Sequence, residues 1–296
     1  MEYCPRFSVC KVRQYLEDVK AGKSKIAADA LLPHEIIRYV NDPHADNMHD
    51  VKYYSDADDS YVVDRPDVGD VAKLQWKAMV EDLSNKGKWK NCLAVCEFFT
   101  DPSDVSEAGV PEAMGLLVSQ LNDKEPWKGK VIPFTRNPKR LHLIQGDDLK
   151  SKLACFRGTG ISGNSATTQK VLDLILQEAV NANLKPEQMI KRVLVFVRMD
   201  CEMSSIQAEH WPITYQIMRS KFEEKGYAVP HIVFWYMYSR DSDMVVSSQV
   251  SGMTTFTGYT DDFFKLFLDR EGDVSPNHAM EAAICGKEYQ NLVVVD

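Results

Sequence analysis

The sequence predicts an α/β fold, a doubly wound, mostly parallel open sheet flanked by helices, with a short helical element at the N-terminus. Continuous apolar runs at NCLAVCE, VLVFV (Val193 to Val197) and IVFWYM (Ile232 to Met237) lack the polar alternation of a one-sided sheet, so both faces must be covered. Segments of helical periodicity separate these runs. Alternating strand and helix is the pattern of a parallel sheet built from crossover connections.

Taken in order, VRQYLEDVKAG and PHEIIRYVND read as helices within residues 1–41. Residues 42–70 read as an acidic linker, because Asp56, Asp58, Asp59, Asp64, Asp67 and Asp70 repel one another and bury poorly. The main domain is expected over 71–296. It opens with a helix carrying Ala72, Trp76, Met79, Val80 and Leu83 on one face, before the first buried strand. PEAMGLLVSQL, with Pro111 suited to a first turn, TTQKVLDLILQEAV and WPITYQIMRSKF supply further helices. GKVIPF, LHLI and MTTFT are weaker strands. Two helices close the chain, DDFFKLFL after the cap Thr260, and one capped by Ser275 with Pro276 at its first position and Gly286 as its stop.

Hydrophobic residues at 44% and charged residues at 26% belong to a globular chain that buries a sizeable core. The formal net charge of −8 opposes broad binding to phosphate backbones, so nucleic acid is not an expected partner. Arg136, Lys139 and Arg140 form a basic turn that reads as a solvated loop. The opening MEYCPRFSVCKVRQ lacks the apolar centre of a secretory signal, and nothing later approaches the roughly 18 apolar residues that span a bilayer. The 7 scattered cysteines, Cys92 and Cys96 among them, suit reduced core thiols. A cytoplasmic setting without membrane contact is expected.

Few motifs nominate an enzyme. Gly158, Gly160 and Gly163 have dinucleotide-loop spacing ahead of a helix, but the preceding SKLACFR is a poor strand and no acidic ribose partner follows. Gly22, Lys23 and Ser24 match the tail of a phosphate loop, yet Glu17 stands where its leading glycine belongs. His44, Asp46, His49 and Asp50 match no zinc spacing, and Cys201 with His210 resembles a nucleophile and base in residue type only.

Longer phrases carry a resemblance. NCLAVCE, LQWKAMVEDL, EAMGLLVSQL, PWKGKVIPF, LKPEQMIKRVLVF, KFEEKGY, IVFW and YLEDVKAGKSKIAADALLPHEII together resemble domain of unknown function 2828, an uncharacterised plant and giant-virus family, over most of the chain. The resemblance implies that residues 1–41 are the remnant of a helical region akin to the TROVE module of Ro autoantigens. It also implies that the C-terminal part is similar to a von Willebrand factor A domain. There, Asp-x-Ser-x-Ser, a Thr and an Asp hold Mg²⁺ through hard oxygen ligands and leave one position for a partner's carboxylate.

This sequence departs from that ligand set. Glu97, Phe99 and Asp101 stand at the first motif, and Phe99 has no donor atom. The threonine position falls near Ser165 or Ala166, with Thr167 close by, and the last aspartate aligns with Arg198, whose charge repels a cation. Asp101, Asp104 or Asp200 could form a different site only if their oxygens converged. The expectation is a non-enzymatic protein-binding module with no metal and no cofactor. Its contact surface would comprise Glu97, Phe98, Phe99, Asp101, Ser165, Thr167, Arg198 and Asp200, at the C-terminal rim of the sheet. The alternatives are a TROVE-like RNA-binding protein and a nucleotide-dependent enzyme using the loop from Gly158 to Gly163.

Overall fold

A computed structural model describes residues 14, 17–24, 26–27, 31–41, 68–96, 109–134, 138–158, 168–197, 203–237, 246–275, 277–278 and 280. Their elements run α1 (Pro33–Asn41), α2 (Val68–Asn85), β1 (Cys92–Cys96), α3 (Gly109–Leu121), β2 (Lys130–Pro133) and β3 (His142–Leu143). Then follow α4 (Leu149–Gly158), α5 (Thr168–Asn181), a 3₁₀ turn at Pro186–Gln188, β4 (Arg192–Val197) and α6 (Met203–Glu224). The last are β5 (His231–Tyr236), β6 (Val246–Val250), β7 (Met253–Thr257) and α7 (Asp261–Asp269). No described helix is long and apolar enough to cross a membrane.

The three apolar runs became β1, β4 and β5, and each is buried along almost its whole length. They pair in parallel inside a seven-stranded sheet of order β3-β2-β1-β4-β5-β7-β6. Only the two outermost pairings, β2 with β3 and β6 with β7, are antiparallel. The fold is therefore α/β with a mostly parallel sheet flanked by helices, as the apolar runs predict.

Because successive strand residues face opposite ways, each strand feeds two cores. Cys92, Ala94 and Cys96 of β1 join α1, α2, α3, α4 and α7 on one face, whereas Leu93 and Val95 join α5 and α6 on the other. Register aligns Phe196, Trp235 and Phe256 across β4, β5 and β7. This aromatic row meets Phe263 and Phe267 of α7, with Trp235 and Phe267 rings 4.6 Å apart. Thr260 caps α7 by accepting from the Phe263 N–H, as its position predicts. Ser275 likewise accepts from the His278 N–H, while Gly286 lies outside the described residues.

Helix α1 is not peripheral. Ile36, Ile37 and Val40 belong to the same core as Trp76 and Met79 of α2 and Met114 of α3. Helix α2 begins at Val68, so Asp70 stands inside a helix rather than at the end of the linker.

Two local elements lie beyond what the sequence pattern predicts. SKLACFR, which fails as a strand, is helix α4, whose Leu149, Leu153 and Phe156 recur on one face and are buried. Strand β6 was not foreseen: its Val-Ser-Ser-Gln-Val sequence is too polar to stand out, and it forms by pairing with β7 across a turn at Ser251 and Gly252. Gly252 holds φ +74°, and a Cβ there would lie 2.2 Å from the Tyr215 ring, so helix α6 packs directly over the hairpin. The Trp211 indole fixes the same contact by donating to the Ser251 carbonyl at 2.8 Å.

Candidate functional site

The carboxyl ends of the parallel strands define one candidate region. After β1 the chain winds through α3 to β2 on one side, then returns to β4 on the other, so β1 and β4 flank the topological switch point of the sheet. Open α/β sheets form their ligand crevice at this place. Cys96 is paired with Phe196, and the next positions in sequence after β1 and β4 are Glu97 and Arg198. Glu97, Phe98, Phe99, Asp101, Asp104, Ser165, Ala166, Thr167, Arg198 and Asp200 themselves lie outside the described residues.

Beside this edge is an ion pair that sequence reasoning missed. Glu112, in the first turn of α3, is buried and receives Arg157 from the last turn of α4, with Nε 3.1 Å from Oε1 and Nη2 2.7 Å from Oε2. A forked guanidinium satisfies a buried carboxylate well because two parallel N–H groups match its two oxygens. The available signal was a lone acid within the otherwise apolar GVPEAMGLLVSQL, a helix buried over most of its circumference. Burial pushes the neighbouring Cys96 thiol up, and the Glu112 charge acts in the same direction, so Cys96 is a packing group rather than a nucleophile.

The other motifs separate clearly. Gly158 ends helix α4, so the glycine-rich segment follows a helix and not the buried strand of a dinucleotide site, while Gly160 and Gly163 lie outside the described residues. At AGKSK, the Lys23 and Ser24 N–H groups both donate to the Asp18 carbonyl, and Gly22 holds φ +72°. That is a helix C-terminus closing on itself, with its amides already engaged. Lys139 and Arg140 are exposed. His44, Asp46, His49, Asp50, Arg136 and Cys201, and the side chain of His210, are outside the described residues. Among the described residues no three His, Cys, Asp or Glu side chains converge as a metal site.

At the opposite, amino edge of the sheet lies a polar cleft of about 610 Å³, lined by the starts of β1, β4 and β5, by the β6–β7 hairpin and by the loop after α7. Arg192 crosses its floor, donating to Asp273 at 3.1 Å and to the Glu271 carbonyl at 3.3 Å. His231 Nε2 lies 2.9 Å from Thr254 Oγ1. Burial, reinforced by the Arg192 charge, lowers the His231 pKa and favours the neutral ring. The Cys92 thiol is pushed up to about 12, chiefly by burial, and is therefore unreactive at neutral pH.

Residues 91–291 match the family model described as Domain of unknown function (DUF7788). The chain belongs to this family. The DUF7788 region takes in the whole sheet, from β1 onward. Residues 8–89 match Domain of unknown function (DUF2828), so that resemblance is confined to α1, α2 and what precedes them rather than extending over most of the chain. The Uncharacterized protein L728 of Acanthamoeba polyphaga mimivirus is 27% identical over 291 residues, covering 96% of this chain and 45% of that protein. The chain thus spans about half the length of this relative. No solved structure matches it.

Proposed function

We propose that this DUF7788 chain is a non-enzymatic protein-binding module of von Willebrand factor A type, whose metal-ion adhesion site has lost its ligands. The observation that carries the reading is the strand order, in which β1 and β4 end side by side at the switch point. Glu97 follows one strand and Arg198 the other. The order β3-β2-β1-β4-β5-β7 is also the 3-2-1-4-5-6 winding of doubly wound folds. With Phe99 offering no oxygen and Arg198 carrying a positive charge, the rim would engage a partner through its own side chains instead of through a bridging Mg²⁺. Glu97, Phe99, Asp101, Ser165, Thr167, Arg198 and Asp200 would form that surface, and the DUF2828-matching helices α1 and α2, which share a core with α3, would buttress that face of the sheet as a TROVE-like remnant.

The test has two arms. Thermal unfolding is followed against Mg²⁺ and Mn²⁺ for the native chain and for a variant restoring the ligands, E97D/F99S/D101S/A166T/R198D, since a bound ion stabilises by mass action. A shift confined to the restored variant is expected, and a saturable shift in the native chain that E97A/D101A removes sinks the degenerate-site reading. In the second arm, Phe99→Ser and Arg198→Glu are compared with the native chain in recovery of bound material from the source cell. A protein lost from both variants and insensitive to nuclease is expected; nuclease-sensitive recovery indicates RNA binding instead.

A further inference from the structure

The charges lining the cleft at the amino edge of the sheet are unevenly satisfied. Both carboxylates are committed, Glu271 Oε2 to the Trp89 N–H at 3.0 Å and Asp273 to the Arg192 guanidinium at 3.1 Å. Lys90 and Lys191 also line the cleft, and among the described residues neither ammonium group has a partner. Arg192 and Asp273 offset each other, so two free ammonium groups face one carboxylate, Glu271, that is already engaged by a backbone amide, in a chain whose formal net charge is −8. Left alone, unpaired like charges around one cavity repel each other, and an anion between them removes that repulsion.

The rest of the wall is neutral and hydrogen-bonding. His231, Thr254, Gln249 and Asn91 line the same space, and Asn91 is held in place by Lys124, whose Nζ donates to Oδ1 at 3.3 Å. About 610 Å³ is far more than an inorganic ion needs and falls within the roughly 300–1,000 Å³ of small-molecule sites. The backbone there is also locked in uncommon conformations: Trp89 and Glu271, joined by their hydrogen bond, both have positive φ. Bulky residues rarely hold such backbone, and where they do the surroundings must impose it.

We propose that this basal cleft binds a small organic polyanion, a phosphate ester or a di- or tricarboxylate, with Lys90 and Lys191 gripping the charge and His231, Thr254 and Gln249 reading its neutral groups. The site is independent of the rim at the carboxyl edge. It is built by the hairpin and the loop after α7, not by the connections that form the usual crevice.

Calorimetry and thermal shift at constant ionic strength, with ribose 5-phosphate, citrate and inorganic phosphate as probes, test the assignment. Saturable binding of at least one organic probe at millimolar affinity or better is expected, weakened at least about tenfold in Lys90→Gln/Lys191→Gln and unchanged in Lys77→Gln, an exposed control on α2. The double variant removes no described contact, so its unfolding temperature without ligand should match the native chain. No saturation by any probe up to about 10 mM overturns the proposal. So does equal binding by the double variant, or inorganic phosphate binding as well as the organic probes.

Discussion

The backbone N–H of Trp89 donates to the Glu271 carboxylate at 3.0 Å, across 182 positions of sequence, and the two residues share left-handed backbone, φ 64° and 56°. The bond ties the turn entering β1 to the loop leaving α7. Side chains clash with the backbone in this conformation, so each residue stores of order 1 kcal/mol that the contact must offset. Glu271→Gln keeps an acceptor and should change stability little. Glu271→Ala leaves the buried Trp89 amide without a partner and should cost about 1–3 kcal/mol, with Glu271→Gly between them because it relieves the strain. Urea unfolding of the three variants checks the order, and a Glu271→Gln loss as large as that of Glu271→Ala would contradict it.

Gly115 lies in the middle of α3, where alanine would ordinarily favour the helix by about 1 kcal/mol. Here a Cβ would sit 2.6 Å from Cys96 Sγ and 2.7 Å from the Phe156 ring, both in the buried core. Overpacking of about 1–3 kcal/mol should outweigh the propensity gain, so Gly115→Ala is expected to lower the unfolding temperature. Adding Cys96→Ala should recover part of the loss, because contacting sites are not additive. A Gly115→Ala protein more stable than the native chain would refute this packing.

For the Glu112–Arg157 pair, removing one partner should be worse than removing both. Glu112 is buried but the Arg157 side chain is 43% exposed, so water still reaches one end of the bond. Arg157→Met is therefore expected to lose roughly 1–3 kcal/mol, less than the 3–5 of a fully buried pair. The Glu112→Leu/Arg157→Met double variant should be the more stable of the two. A double-mutant cycle in denaturant decides it.

Acid sensitivity should come partly from His34. Burial lowers its pKa, opposed by Glu35 and Asp261 and helped by Arg38, and its Nδ1 is buried without a hydrogen bond. The unfolded chain takes up this proton more readily than the folded one. His34 thus contributes stability above its ordinary pKa of about 6.5 that is lost as pH falls below it. His231, lowered by burial and by Arg192, acts in the same direction. Unfolding temperature should drop between about pH 7 and pH 5.5, and His34→Leu should flatten that slope. An unchanged slope would remove His34 from the account.

Sequence pattern revealed the elements whose burial is uniform or strictly periodic. The runs Cys92 to Cys96, Val193 to Val197 and Ile232 to Tyr236 could be read because no polar residue interrupts them, and α7 because Thr260 and the spacing of Phe263, Phe264 and Phe267 agree. Helix α4 was hidden because only Leu149, Leu153 and Phe156 of its residues are buried, a stripe too narrow to distinguish from a loop. The amino-edge cleft could not be read at all. Lys90, Lys191, His231 and Glu271 belong to four separate segments with no shared spacing, and only the strand register and the loop after α7 bring them together.

The margins of the sheet have a consequence for self-association at high protein concentration. A long, flat outer strand offers unpaired amides and carbonyls on which another polypeptide can polymerise. Here one margin, β3, is only 2 residues long, and the other, β6, is a short run with Ser247, Ser248 and Gln249 at its centre. Neither gives a growing fibril much template, so the apolar strands at the heart of the fold stay sequestered behind poor starting points for aggregation.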